Sequence, residues 1–151
     1  MQIIDFVVLA NVLLERHELS AWRIDLDNAR RRLGVCRHSK RLITISRKFV
    51  LMNESEAVRE TILHEIAHAL AGPRAGHGPK WRMVARSIGG DGRRTADPRK
   101  LNLVPPCYEG KCPACAYTLK RFKRFRAACA KCCRGVFQKE FLFIWSRIKT
   151  V

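Results

Sequence analysis

The sequence predicts an α+β protein in two modules: helices packed on a small sheet over residues 1–104, then a cysteine-stapled β ribbon over 105–151. Three observations predict this. Hydrophobic residues recur with helical and two-residue periods through the first two thirds of the chain. Five of the seven cysteines fall within 22 residues, from Cys112 to Cys133. Charge density also changes: from Pro106 onward 11 Lys+Arg face 2 Asp+Glu, against 19 and 11 in the preceding 105 residues.

Residues 2–18 place Ile3, Phe6, Val7, Ala10, Leu13 and Leu14 on one helical face. WRIDL (22–26) alternates as a short half-buried strand, and DNARRRLG (27–34) reads as a short helix stopped by Gly34. RLITIS (41–46) is a second strand, and Cys36 between these elements reads as a buried structural thiol. A central helix follows, capped by Asn53 or Ser55, with Glu54 and Glu56 where the helix dipole favours them. Its apolar stripe is Val58, Ile62, Leu63, Ile66 and Leu70, and Gly72-Pro73 ends it. A further helix runs from Gly78 or Pro79 to Ile88, burying Trp81, Val84 and Ile88. DGRRTADPRK (91–100) is a polar loop and LVPP (103–106) a hinge.

An apolar fraction of 47% is enough to build a core and excludes a wholly disordered chain. A net charge of +17 points to a polyanionic partner, nucleic acid in preference to a membrane surface. The apolar start is interrupted by Asp5 and lacks a basic leader and a cleavage site, so it reads as an amphipathic helix. No segment approaches the length of a membrane span, and no membrane partner is expected. An odd cysteine count with two C-x-x-C pairs reads as metal ligation, and the expected compartment is a reducing cytoplasm.

The central helix carries HEIAH, residues 64–68. Positions i and i+4 share a helix face, so His64 and His68 can offer ring nitrogens to one ion. Glu65, one step round, reaches a metal-bound water without being a ligand, which is the mechanical content of this motif. A catalytic zinc takes three protein ligands and keeps one position open. A metzincin would need histidine where this chain has Arg74, and no glutamate lies between Glu65 and Glu109. Asp91 and Asp97 fall in the polar loop, which leaves His77. On an unbroken helix His77 would point away from His68, about 13 Å further along. A break at Gly72-Pro73, with Gly76 and Gly78 flanking the histidine, lets the chain fold back and deliver it.

These segments resemble the SprT-like family, which includes the Spartan proteases of DNA–protein crosslink repair. The matching residues are HEIAHAL (64–70), GHGPKW (76–81), W-R-I…NARRRLGVCR (22–37) and ITISR (43–47), within a likeness over roughly residues 10–135. The resemblance implies a zincin-like metallopeptidase core followed by a zinc ribbon. By position it makes His64, His68 and His77 ligands of a catalytic Zn²⁺ and Glu65 the residue that activates water for peptide-bond hydrolysis.

In the last third, CPAC (112–115) and CAKC (129–132) are two knuckles separated by 13 residues. Cys112, Cys115, Cys129 and Cys132 can hold a structural Zn²⁺ tetrahedrally; Cys133 is the alternative fourth ligand. Between them, Phe122 and Phe125 are interleaved with Lys120, Arg121, Lys123, Arg124 and Arg126. Cations that track phosphates and rings that stack on bases suit single-stranded or distorted DNA. The strip makes DNA the expected partner, and the resemblance implies a DNA-bound protein as the substrate. FLFIWSRI (141–148) closes the ribbon or docks it.

Overall fold

The computed structural model describes residues 1–148, and the chain divides into two compact units, Met1–Val104 and Pro105–Val151. It is a mixed α+β protein with two small sheets.

In the first unit, α1 (Ile3–Arg16) precedes a three-stranded sheet of β1 (Arg23–Asp27), β2 (Gly34–Arg37) and β3 (Leu42–Ser46). The strand order is β1-β3-β2, with β1 parallel and β2 antiparallel to β3. The central β3 is buried on both faces, which is why its apparent alternation does not separate a wet side from a dry one. Ile43 and Ile45 enter the core, Thr44 Oγ donates to Asp27 at 2.7 Å, and Ser46 Oγ donates to the Ala29 carbonyl at 2.7 Å.

The expected helix over 27–34 is absent. Asp27 accepts hydrogen bonds from the Ala29 N–H, the Arg32 guanidinium and Thr44. Such side-chain-to-backbone bonding offers the chain a turn in place of a helix. Gly34 therefore opens β2 instead of closing a helix. A short helix that the sequence pattern did not announce, α2 (Arg47–Met52), follows β3 with Ser46 as its cap.

The long helix α3 (Ser55–Ala71) packs on α1, β2 and β3, and its residues Val58, Ile62, Leu63 and Ile66 fill the core with Phe6, Ala10, Leu13 and Leu14. Neither expected cap serves it. Glu54 holds the N-cap position with no side-chain bond, while Asn53 bonds the Phe49 carbonyl and both backbone groups of Asn102. Asn53 thus ties the far end of the polar loop to α2. Two residues expected inside are exposed: Val7 at 45% and Leu70 at 39%. Leu70 is displaced because α4 (Pro79–Ser87) covers the other side of α3, where Ala67 and Ala71 are small enough to admit the whole Trp81 ring.

In the second unit, β4 (Tyr108–Lys111), β5 (Thr118–Arg121) and β6 (Ile144–Arg147) form an antiparallel sheet in the order β5-β4-β6. FLFIWSRI therefore supplies the closing strand of the ribbon. Gly110 on β4 faces Trp145 across the ladder, and a Cβ there would stand 3.0 Å from the indole, so the ring lies flat over the strand. A single helical turn, α5 (Ala130–Cys133), carries the second knuckle. The buried centre of this unit is Cys112, Cys129 and Phe143, which is little apolar volume for a module of this size.

Candidate metal centres

His64 and His68 lie one turn apart on α3. The helix ends at Gly72, whose φ of +92° is a conformation that side chains resist, and Gly76 turns the chain again at φ +50°. Successive bonds from Gly72 N–H to His68 O, Ala75 N–H to Gly72 O and Gly78 N–H to Ala75 O wind the segment back on itself. His77 is thereby returned to the two helical histidines. Its Nε2 is 3.0 Å from that of His64 and 3.1 Å from that of His68. Trp81 forms the floor beneath all three rings, its centroid 4.7, 5.3 and 4.6 Å from those of His64, His68 and His77.

The donor set fits a divalent ion such as zinc. Three imidazole nitrogens within 4.8 Å of one another can share one ion, and tetrahedral zinc places nitrogen ligands about 3.3 Å apart. Burial holds His64 and His68 neutral, the form that coordinates, down to about pH 4, and His77 is lowered in the same direction. The Arg93 backbone hydrogen-bonds the His64 ring, and a ring fixed through one nitrogen presents the other to a metal.

These shifts carry a stability signature. An unfolded chain protonates histidine near its ordinary value of 6.5, whereas the folded metal-free protein protonates His64 and His68 only near 4. Between those values the unfolded state binds more protons, so folding stability is complete above 6.5 and falls as pH drops toward 4. Denaturant titration of metal-free protein is expected to give a lower midpoint at about pH 5 than at neutrality.

Glu65 lies against the edge strand β2 and is only 7% exposed. Burial pushes its carboxyl up to about 7, opposed by the backbone N–H of Cys36 and the charge of Arg32. Gly34 lies directly against it: a Cβ would come within 2.8 Å of Glu65 Cγ and 2.9 Å of Ile45 Cδ1. Gly34→Val is expected to displace the carboxylate and to cost about 1–3 kcal/mol by overpacking, checked by thermal unfolding together with activity. A cavity of about 380 Å³ opens beside His64 and Glu65, with Leu33, Thr61, Leu101 and Arg93 also in its wall.

In the ribbon the four expected thiols converge. Cys112 Sγ is 3.8 Å from Cys132 Sγ, and Cys115 Sγ is 3.7 Å from Cys129 Sγ. Tetrahedral zinc–thiolate geometry sets sulfurs about 3.8 Å apart, so the set fits one zinc ion. The backbone N–H groups of Cys115 and Ala114 pull the Cys112 thiol down to about 7, toward the ligating thiolate. Cys133 lies outside the group, buried with its Sγ 4.0 Å from the Gln138 carbonyl.

The basic strip divides. Lys120 and Arg121 end β5, Phe122 is half-buried, and Lys123, Arg124 and Arg126 are exposed. Phe125, 48% exposed, packs on Trp145, whose Nε1 donates to the Phe125 carbonyl at 3.0 Å. Arg124 lies over the Tyr108 ring at 5.5 Å.

Sequence reasoning named every member of the two metal groups but missed Gly34, Arg93, Tyr108 and Trp145. A glycine opening the strand-like GVCR run was the available signal for Gly34. Nothing local marks the others, which reach their places through chain folding.

The model of the SprT-like family matches residues 5–100, covering the sheet and the whole histidine segment and stopping short of the ribbon. No curated protein and no solved structure matches the chain. No helix among the described residues is long and apolar enough to cross a membrane. A match over more than half the chain, carrying the converged histidines within it, settles the relationship: the chain belongs to the SprT-like family, a family of zinc-metallopeptidase type.

Proposed function

We propose that this protein is a zinc-dependent endopeptidase acting on DNA-associated or DNA-crosslinked proteins, with residues 1–104 as a zincin-like core. The observation that carries the reading is the convergence of His64, His68 and His77 beside the buried carboxylate of Glu65. Zinc held by the three imidazoles supplies a Lewis acid that polarises a peptide carbonyl and acidifies water. Glu65 accepts the proton of the attacking water as the carbon–oxygen bond forms. It returns that proton to the amine nitrogen as the carbon–nitrogen bond breaks. A carboxyl near 7 can both take and give a proton at neutral pH. Cys36 N–H and Gly34 hold it in place, and Trp81 with the Arg93 backbone fixes the rings.

The four ribbon thiolates hold a structural zinc. The strip from Lys120 to Arg126, joined by Tyr108 and Trp145, takes DNA, its cations on phosphates and its rings on unpaired bases. Regular duplex hides those bases, so single-stranded or distorted DNA is the preferred form. On this reading the protein works on DNA, in the reducing cytoplasm that its free thiols suit. The rival reading is a nucleic-acid-binding ribbon protein with little peptidase activity; it draws on the fact that the ribbon's surface uses no residue of the histidine group. Incubating the zinc-loaded protein with a DNA-bound protein, with and without single-stranded DNA, separates them. The peptidase reading expects DNA-stimulated cleavage that a chelator stops; binding with no cleavage on any DNA form favours the rival.

A further inference from the structure

The first unit holds a cluster of arginines whose side chains the peptidase reading does not use. Arg82 and Arg86 stand one turn apart on the outer face of α4, whose inner face buries Trp81 and Ala85. The chain then returns past Gly92, which is buried against that helix: a Cβ there would lie 3.1 Å from Arg86 Cγ and Nε and 3.4 Å from the Arg82 carbonyl. Arg93 and Arg94 follow at once, and both border the cavity beside His64 and Glu65.

All four side chains are exposed, and none enters an ion pair among the described residues. Two carboxylates of this stretch accept from backbone N–H groups instead of from these guanidiniums: Glu60 from Asp91 N–H at 2.7 Å, and Asp91 from Arg93 N–H at 2.7 Å. Four exposed guanidiniums in no ion pair raise the local positive potential, and a bound polyanion is attracted by it. Their planar forks match phosphate oxygens in a bidentate manner.

We propose that Arg82, Arg86, Arg93 and Arg94 form a second nucleic-acid surface, on the peptidase unit itself, that grips the phosphodiester backbone at the rim of the histidine centre. It would hold a strand alongside the cleft, so that a protein on that strand is presented to Glu65. The purpose rests on the peptidase reading; the binding does not.

The test uses full-length zinc-loaded protein and a labelled oligothymidylate, with affinity measured by anisotropy across a salt series. Arg82→Gln/Arg86→Gln/Arg94→Gln is compared with a ribbon variant carrying Lys120→Gln, Arg121→Gln, Lys123→Gln and Arg124→Gln. Arg93 is left alone because its backbone meets His64. The ridge variant is expected to lose about 0.7 of salt slope for each phosphate contact removed, and the ribbon variant to keep a salt-dependent remainder that the combined variant lacks. Arg→Lys at the same three positions should restore most of the slope, which a misfolded protein could not do. An unchanged slope in the ridge variant overturns the proposal. So does a polyglutamate probe that loses binding when the oligonucleotide does not, since that assigns the ridge to acidic polypeptide. Glu65→Gln should bind as wild type does whether or not wild type cleaves, so failure of the peptidase reading is seen separately.

Discussion

Glu65→Gln is expected to lower peptide-bond cleavage by about 10²–10⁴-fold while leaving zinc content and folding unchanged. Glutamine keeps the shape and still accepts the Cys36 N–H, so it fits the space that Gly34 leaves open. What it cannot do is take a proton from water and hand it on. Glu65 is not among the three residues whose ring nitrogens lie within 4.8 Å of one another, so the substitution removes no donor from that group. Steady-state kinetics beside metal analysis checks both halves. A variant that loses zinc together with activity would make Glu65 a structural residue, and one that cleaves as fast as wild type would remove it from the mechanism.

Cys129→Ser is expected to unfold the ribbon and abolish oligonucleotide binding through the strip. Cys129 is fully buried and belongs to the four-sulfur group, while the apolar partners of that centre are few. In modules this small a structural zinc contributes about 10–16 kcal/mol of apparent folding energy, far more than the apolar centre here can replace. Limited proteolysis should therefore cut freely beyond residue 105 in this variant and leave the first unit intact, because the two units are separately compact. Cys133→Ser supplies the contrast. Its sulfur lies by the Gln138 carbonyl, outside the group, so the ribbon should keep its metal and its protease resistance. Equal damage from both substitutions would mean that the fourth ligand is not fixed as Cys132.

The histidine centre was legible because its information is local. An i, i+4 pair needs only a helix, and two turn-forming glycines around a third histidine announce a chain reversal. The four cysteines were legible for the same reason, since knuckle spacing is a short-range constraint. What escaped depends on distant partners. DNARRRLG has the composition of a helix, but Thr44, seventeen residues on, joins Arg32 in holding Asp27 as a turn. Asn53 looks like a cap until Asn102 arrives to claim it. RKFVLM is too short for a hydrophobic period to show, and its helix is set by Ser46 and by burial of Phe49 and Val50. The contacts that support Glu65 come from the edge strand β2, whose position beside α3 no nearby residue encodes.

Zinc stoichiometry on the purified full chain measures directly whether the three imidazoles share an ion. Two zinc ions per chain are predicted, one for each ligand group, with His77→Ala retaining only the thiolate-bound ion. Wild-type protein that holds a single zinc, or a His77→Ala variant that still holds two, would contradict it.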